Sequence, residues 1–298
     1  MSDDRPLIAV IGASGAQGGA VVRALVDRGT YRVRAITRNP DRYAGDADEV
    51  VEADLSRPET LAAAFEGAYG AFVVTAFWEP GSDEGAYGGA AVAAAKAAGV
   101  QHFVWSTLPD VDALSEGRYK VDHFSDKAHV DPLVRDAGFA HHTFVQPPFY
   151  FENLNTVMAA QPLPDGRTGW VMPIPGDARV VHGGSVRDVG GVVAGAFEHP
   201  DRVGDGAYLS PTAGLTSFDE MVATLDAQGH DYAFQEVPAE VFSTFFPGAE
   251  EMAQMLAYWQ EFTYLGPDAE EKMALAREIT TGRITDFATW ASENMPVT

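Results

Sequence analysis

Residues 7–19, Leu7-Ile-Ala-Val-Ile-Gly12-Ala-Ser-Gly15-Ala-Gln-Gly18-Gly19, decide the fold of this 298-residue chain. An apolar run ends at a glycine turn, and apolar residues at helical spacing follow over residues 17–28. The three glycines suit a sharp turn, a close approach of phosphate to the backbone, and packing of the helix against the strand. The pattern predicts a dinucleotide site, and the alternative is a relic turn that holds no ligand. The predicted contacts are Gly12, Ala13, Ser14, Gly15, Ala16, Gln17 and Gly18.

Strand and helix patterns alternate after this turn. Alternation of this kind indicates parallel strands joined by right-handed crossovers. We therefore predict an α/β fold of the Rossmann type, with a doubly wound parallel sheet. The predicted strands are residues 7–11, 31–37, 50–54, 71–75, 102–106 and 140–146, and the predicted helices are residues 17–28, 58–65, 88–98 and 123–137.

The pattern becomes irregular from about residue 149, where prolines and glycines interrupt it. A helix is predicted over residues 186–197, a strand returning to the sheet over 206–210, and helices over 217–228 and 247–262. We expect a domain of residues 1–150 that also receives elements from about 180–212, interleaved with a smaller substrate or partner lobe of residues 151–298. Tyr258, Trp259 and Phe262 have helical spacing and are predicted to lie mostly in the core.

Charge and composition exclude several classes of protein. Twenty basic and forty-three acidic residues give a net charge of −23, which repels nucleic acid and anionic lipid. A membrane span needs about 18 unbroken apolar residues, and no run approaches that length. The absence of cysteine excludes disulfides, thiolate metal sites and cysteine nucleophiles. We expect a cytoplasmic monomer or homodimer, and either a salt-adapted host or a GC-rich genome would explain the acidity.

The end of the second strand indicates which dinucleotide is bound. Sites that prefer NAD place an acid there for the ribose hydroxyls, but this chain has Arg38. A guanidinium suits a 2'-phosphate, and Arg42 is close enough to assist, unless it is a solvated loop charge. NADP(H) is therefore predicted. Asp54 and Leu55, after the third strand, face the adenine in this interpretation, although Asp54 could instead cap the next helix.

Several segments resemble the NmrA-like proteins, atypical members of the short-chain dehydrogenase/reductase superfamily. The resemblance covers essentially the whole chain and is closest to the subgroup that includes the animal NADPH-sensing members. The matching segments are residues 12–19, Thr37-Arg38-Asn39-Pro40, Phe77-Trp78-Glu79, residues 148–154, residues 185–190 and residues 286–290.

The resemblance implies an NADP(H) site that extends beyond the glycine turn. Where relatives carry a further lysine, this chain has Tyr87-Gly88-Gly89, so the resemblance does not carry over one phosphate or ribose contact. The implied contacts are Arg38, Arg42, Asp54, Leu55, Phe77, Trp78, Glu79, Lys127, Tyr150, Phe151, Glu152 and Asn153.

Catalysis is less clearly encoded than binding. Typical reductases of the superfamily use a serine, a tyrosine that acts as general acid, and a lysine four residues later. Ser106 and Lys127 match two of these, but His123 occupies the tyrosine position. Histidine can donate a proton near neutral pH, or His123 can be a structural imidazole. Tyr150 and Tyr119 are the other candidate donors.

Two functions therefore remain open. An intact dinucleotide turn beside a missing tyrosine suggests a regulatory protein that senses the NADPH/NADP⁺ balance and changes its interaction with a protein partner. The alternative is an NADPH-dependent reductase of a small carbonyl, quinone or conjugated alkene. No metal site is predicted, since His141 and His142 would face opposite sides of a strand.

Overall fold

The computed structural model describes residues 4–296, and the strands within them form three sheets. Seven parallel strands make the main sheet in the order β11-β6-β5-β4-β1-β2-β3. The strands of this main sheet are β1 Leu7–Ile11, β2 Arg32–Thr37, β3 Glu49–Glu52, β4 Gly70–Val73, β5 His102–Ser106, β6 His141–Val145 and β11 Asp205–Leu209.

Two small three-stranded sheets accompany the main one, in the orders β12-β10-β7 and β13-β9-β8. Each contains one parallel and one antiparallel pair of strands. The remaining strands are β7 Phe149–Tyr150, β8 Gln161–Pro162, β9 Thr168–Met172, β10 Val181–Gly184, β12 Gly214–Thr216 and β13 Tyr232–Glu236.

Helices join most of the strands. The α-helices are α1 Ala16–Arg28, α2 Leu61–Phe65, α3 Glu84–Ala97, α4 Val111–Ser115, α5 Asp122–Ala128, α6 Asp131–Asp136, α7 Val186–Glu198, α8 Pro200–Val203, α9 Phe218–Ala227, α10 Ala239–Phe242, α11 Ala249–Phe262, α12 Ala269–Ile279 and α13 Phe287–Asn294. Short 3₁₀ helices cover Pro40–Arg42, Pro58–Thr60 and Phe151–Asn155. Within residues 4–296, none of these helices is long and apolar enough to cross a membrane.

Both faces of the main sheet are buried. Val10 and Phe72 belong to one apolar cluster, together with residues of α1 and α7, whereas Ala9 and Val73 belong to a second cluster with residues of α2 and α3. Because neighbouring residues of a strand point to opposite faces, the two clusters cover the two sides of the sheet. A third cluster gathers the C-terminal aromatics, including the buried Tyr258 and Trp259. The doubly wound fold class and the returning strand β11 are confirmed.

Some predicted elements were wrong in their extent. The helix expected over residues 88–98 is α3 Glu84–Ala97, which begins earlier because Asp83 caps it by accepting from the Ala86 N–H. The helix expected over residues 123–137 is two helices, α5 and α6, separated at His129 and Val130. Pro132 lies in the first turn of α6. Proline has no N–H to bond to the carbonyl of Ala128, and its ring clashes with a carbonyl four residues earlier. A helix therefore ends at Ala128 and a new one begins with Pro132 in its first turn, where proline is tolerated.

Candidate functional site

A cleft of about 340 Å³ opens at the carboxyl ends of β1, β2, β3 and β4. Strand order runs outward from β1 through β2 and β3 on one side, and from β4 through β5 and β6 on the other. This reversal is the switch point at which doubly wound sheets bind ligands. The lining residues are Ile11, Gly12, Ser14, Gly15, Ala16, Gln17, Gly18, Ile36, Thr37, Arg38, Ala53, Asp54, Leu55, Val74, Thr75, Ala76, Glu79, Tyr87 and Tyr150.

The glycine turn has the geometry that a phosphate requires. Gly12 has φ +74°, in the left-handed region, and a Cβ on Gly18 would lie 2.2 Å from the carbonyl oxygen of Gly12. A side chain at position 18 would push the turn and α1 apart, whereas one at position 12 would lie 2.8 Å from Val74 Cγ1 and would strain the backbone. The first turn of α1 contains no acidic residue, and its N–H groups lack partners within the helix. An anion is therefore stabilised at this end of α1.

The charged residues among those that line the cleft are Arg38, Asp54 and Glu79. Asp54 Oδ1 accepts hydrogen bonds from the backbone N–H and the hydroxyl of Ser56, at 2.9 and 2.8 Å. Burial alone would raise the pKa of Asp54, but the Ser56 hydrogen bonds and nearby arginines outweigh it and lower the pKa. Asp54 does not cap the following 3₁₀ helix, whose first turn begins after Arg57.

Tyr150 and Ser106 are candidate catalytic residues near the cleft, and their hydroxyls differ in hydrogen bonding. The Tyr150 ring lines the cleft, and its hydroxyl is buried with no hydrogen-bond partner among the described residues. Burial raises the pKa of this phenol well above its ordinary value. Ser106, at the end of β5, donates a hydrogen bond to Gln17 Oε1 at 2.8 Å. The Ser106 hydroxyl is thus bound to the glycine turn.

Lys127 lies behind Thr75, which is part of the cleft wall. Its ammonium donates to Thr75 Oγ1 at 2.7 Å, to the Thr75 carbonyl at 3.0 Å and to Glu84 Oε2 at 2.9 Å. Lys127 and Glu84 are both buried. Burial lowers the pKa of Lys127, while the Glu84 carboxylate opposes that change. The Lys127 ammonium is therefore held by protein groups.

His123 is also held by protein groups. Its Nδ1 lies 2.6 Å from Glu251 Oε1, and its ring centroid lies 5.8 Å from that of Phe77 and 5.0 Å from that of Trp78. The side chain is almost wholly buried. Within residues 4–296, no group of three histidine or acidic side chains is arranged to hold a metal ion.

A family model for the NmrA-like family matches residues 4–291 of this chain. The chain belongs to the NmrA-like family. An NmrA-like family domain-containing oxidoreductase, FrzB, from a Cladobotryum species is 32% identical to it, over 89% of this chain and 88% of its own length. A second protein with this family name and oxidoreductase designation, from Aspergillus hancockii, is also 32% identical, over 91% and 88% of the two chains.

Solved structures of two functional kinds share the NmrA-like fold. NmrA, a negative transcriptional regulator crystallised with NADP, superimposes with a TM-score of 0.81 at 23% identity, over 99% of this chain and 96% of its own. An NADPH-dependent quinone oxidoreductase from Escherichia coli, crystallised with NADPH, superimposes with a TM-score of 0.76 at 18% identity, over 97% and 100%. At these identities the likeness shows the fold alone.

Some residues matched to the NmrA-like pattern lie away from the cleft lining. Ala13 is buried beneath the turn, and Arg42 is exposed in the 3₁₀ helix after β2. Phe77 and Trp78 contact each other and His123. Their roles in cofactor binding stay predictions.

The segment after β7 makes internal contacts. The Phe151 ring is buried against Phe287 and Trp290. Glu152 accepts hydrogen bonds from the Ser185 hydroxyl at 2.6 Å and the Val186 N–H at 3.0 Å. The Asn153 carbonyl accepts from the Met158 N–H at 2.8 Å. The segment therefore links β7 to α7 and α13, and its contact with a cofactor stays a prediction.

The structure adds lining residues that the sequence reasoning missed. Most of them lie in the last residues of a strand or directly after it, where the rule that ligands bind at carboxyl ends would have found them. Glu84, the partner of Lys127, gave no such signal, because an acid in the first turn of a helix is ordinarily solvent-exposed. The missed lining residues are Ile11, Ile36, Thr37, Ala53, Val74, Thr75, Ala76 and Tyr87.

Proposed function

We propose that this NmrA-like protein binds NADP(H) in the cleft at the switch point of the main sheet. One observation carries the proposal: the acid-free N-terminus of α1 and the guanidinium of Arg38 line the same cleft. The first suits a pyrophosphate, and the second suits a 2'-phosphate. The NADP and NADPH complexes of the two structural neighbours support the choice of ligand class.

Different residues of the cleft would bind different parts of the dinucleotide. The turn of residues 12–18 would hold the pyrophosphate, and Arg38 would hold the 2'-phosphate. Asp54 and Leu55 would lie beside the adenine, and Tyr150 would lie at the nicotinamide end. The donor set fits, because backbone N–H groups and a guanidinium are the usual partners of phosphate oxygens.

We propose further that the protein senses the redox state of the cofactor and transmits it to a protein partner. The groups that a typical reductase of the superfamily uses are engaged with other protein groups. Lys127 is paired with Glu84, His123 with Glu251, and the Ser106 hydroxyl with Gln17. Among the described residues, these three groups are therefore not free to act on a substrate. This observation favours a regulatory function.

A reductase is the second candidate, and Tyr150 favours it. Tyr150 lines the cleft, and its buried hydroxyl has no partner among the described residues. It is therefore the candidate proton donor for a substrate oxygen that enters the cleft and contacts this hydroxyl. The chemistry that a bound NADPH supplies is hydride transfer to a small carbonyl, quinone or conjugated alkene. The oxidoreductase names of the two fungal relatives support this candidate.

Calorimetric titration of the cofactor-free protein with NADP⁺, NADPH, NAD⁺ and NADH tests binding. The proposal requires heat of binding with the phosphorylated forms and tighter binding of these than of the unphosphorylated forms. Sensing requires in addition that NADP⁺ and NADPH differ in affinity, because a ligand shifts a conformational equilibrium only through differential affinity. Equal affinities, with identical hydrogen-exchange protection in both complexes, would remove the sensor hypothesis.

Turnover tests the second candidate. NADPH consumption is followed with a panel of carbonyls, quinones and enones, using wild-type protein and the Tyr150→Phe variant. A reductase oxidises NADPH with at least one substrate and loses that activity in the variant. A wild-type protein that binds NADPH but consumes none across the panel contradicts the reductase and leaves the binding proposal intact.

A further inference from the structure

The guanidinium expected to bind the 2'-phosphate already has a carboxylate partner. Arg38 Nη1 lies 2.5 Å from Glu79 Oε2, and Arg38 Nη2 lies 2.6 Å from Glu79 Oε1. The pair is bidentate, and both side chains line the cleft. A phosphate would use the same two N–H groups in the same parallel geometry. A guanidinium has five N–H donors, and Glu79 occupies the end formed by Nη1 and Nη2. A 2'-phosphate that binds this end of Arg38 therefore competes with Glu79.

The backbone around Glu79 presents this carboxylate from an ordered turn. The Glu79 N–H donates to the Ala76 carbonyl at 3.2 Å, and the Glu79 carbonyl accepts from the Ser82 N–H at 3.0 Å. The preceding Trp78 contacts the His123 ring. The turn lies directly after β4, next to the cleft. Glu79 thus competes for Arg38 from a position held by the fold.

The charge balance of the cleft also opposes a phosphate. Among the lining residues, Arg38 is the basic one, whereas Asp54 and Glu79 are acidic. A 2'-phosphate adds about 1.5 to 2 negative charges beside two carboxylates. The unphosphorylated ribose has no such conflict, because its hydroxyls donate hydrogen bonds to an acid. Glu79 lines the same cleft, and its carboxylate keeps lone pairs for such hydrogen bonds while it stays paired with Arg38.

We propose that Glu79 sets the cofactor specificity of this cleft. It competes with the 2'-phosphate for Arg38 and accepts the ribose hydroxyls of NAD(H), so that the cleft binds both dinucleotides with a reduced preference for the phosphorylated one. This inference rests on the proposed function. Substitution distinguishes the two possible roles of Glu79, because removing a direct ligand of NADP⁺ would weaken its binding, whereas removing a competitor would strengthen it.

Calorimetric titration with NADP⁺ and NAD⁺ tests the inference on the wild-type protein and Glu79→Gln. Glutamine keeps the shape and removes the charge. Because the Arg38–Glu79 pair is exposed, NADP⁺ affinity should rise by about two- to fivefold when this competitor is removed. NAD⁺ affinity should fall, because an amide oxygen is a weaker acceptor than a carboxylate. The ratio of the two affinities is the readout.

Glu66→Gln is the matched control. Glu66 is an exposed acid between α2 and β4, at the amino-terminal edge of the main sheet, on the side opposite the cleft. It changes the net charge by the same amount, so any effect of global charge appears in both variants. We expect the affinity ratio of Glu66→Gln to equal that of the wild type.

Two results would overturn the inference. If Glu79→Gln binds NADP⁺ no more tightly than the wild type, Glu79 is no competitor, although the proposed NADP(H) function would remain. If wild-type protein binds neither dinucleotide, the proposed function and the inference both fail. Glu79→Ala is the second variant, and tighter NADP⁺ binding in it supports the same conclusion independently of the glutamine amide.

Discussion

The Lys127 ammonium and the Glu84 carboxylate form a buried ion pair of 2.9 Å directly behind the cleft wall. Thr75 bonds to both partners, since its hydroxyl accepts from Lys127 and donates to Glu84 Oε2. The pair ties α5 and the start of α3 to the end of β4. The other carboxylate oxygen of Glu84 has no partner among the described residues. Lys127 therefore supports the cleft wall from behind.

Glu84→Gln should destabilise the protein. It leaves a buried ammonium without its counter-charge, which costs about 3 kcal/mol of the free energy of unfolding. The measurement is urea denaturation of wild-type and variant protein. The control is Glu261→Gln, which breaks the exposed pair with Arg118 and should change the stability little. Equal stability of Glu84→Gln and wild type would contradict a structural role for the pair.

Stability should depend on the protonation of Asp131. Burial raises the pKa of this carboxyl to about 6, against the hydrogen bond that its Oδ2 accepts from the Tyr208 hydroxyl at 2.7 Å. The folded chain thus holds a proton that the unfolded chain loses near pH 3.8. The contribution to stability is complete below that pH and is lost as the pH rises through about 6. The full change is about 3 kcal/mol.

Asp131→Asn removes this dependence, because the amide does not titrate and can still accept from Tyr208. Urea denaturation at a series of pH values compares the variant with the wild type. We expect the two curves to converge at the acidic end and the variant to be the more stable above the folded-state pKa. Parallel curves would show that Asp131 ionises in the folded protein as it does in the unfolded chain.

Gly18→Ala should damage the turn and its ligand binding together. The new Cβ would lie 2.2 Å from the Gly12 carbonyl oxygen, so the strand and helix must separate. We expect a loss of about 1 to 3 kcal/mol in the free energy of unfolding and a loss of NADP⁺ affinity of at least about tenfold. Denaturation and calorimetry measure the two effects.

Gly85→Ala is the control for that substitution. Its Cβ would lie 3.6 Å from Asp83 Oδ1, an ordinary contact, in the helix α3. Alanine is favoured over glycine in a helix, so the variant should be as stable as the wild type or more so. A Gly18→Ala variant that behaves like Gly85→Ala would show that the close approach at the turn is not required.

Tyr150→Phe should leave the fold intact. The hydroxyl is buried without a described partner, and removing an unpaired polar group changes the free energy of unfolding by zero to about +1 kcal/mol. If the protein is a reductase with Tyr150 as proton donor, kcat should fall by about 10²- to 10⁴-fold. A clear loss of stability in denaturation would reveal a partner for the hydroxyl in solution.

Local pattern was sufficient for the main elements of the fold. The apolar run of β1, the glycine turn and the helical spacing of α1 are contiguous in the chain. The interactions that specify them are therefore between residues close in sequence, and the sequence pattern reveals them. Arg38 was placed in the cleft by the same logic, since it follows β2 at the expected distance from the turn. The sequence also shows Pro132, which interrupts a helix, but the prediction followed the helical periodicity and gave one continuous helix over residues 123–137.

The sequence by itself determined the strands of the main sheet, the glycine turn and the position of Arg38 after β2. It also determined that His123 stands where typical reductases of the superfamily have a tyrosine. What only the tertiary structure decided is which polar groups are paired with one another. Lys127 meets Glu84 from 43 residues away, His123 meets Glu251 from 128, and Arg38 meets Glu79 from 41. No short-range pattern encodes these pairs, because they form when separate strand ends and helices converge at one edge of the sheet.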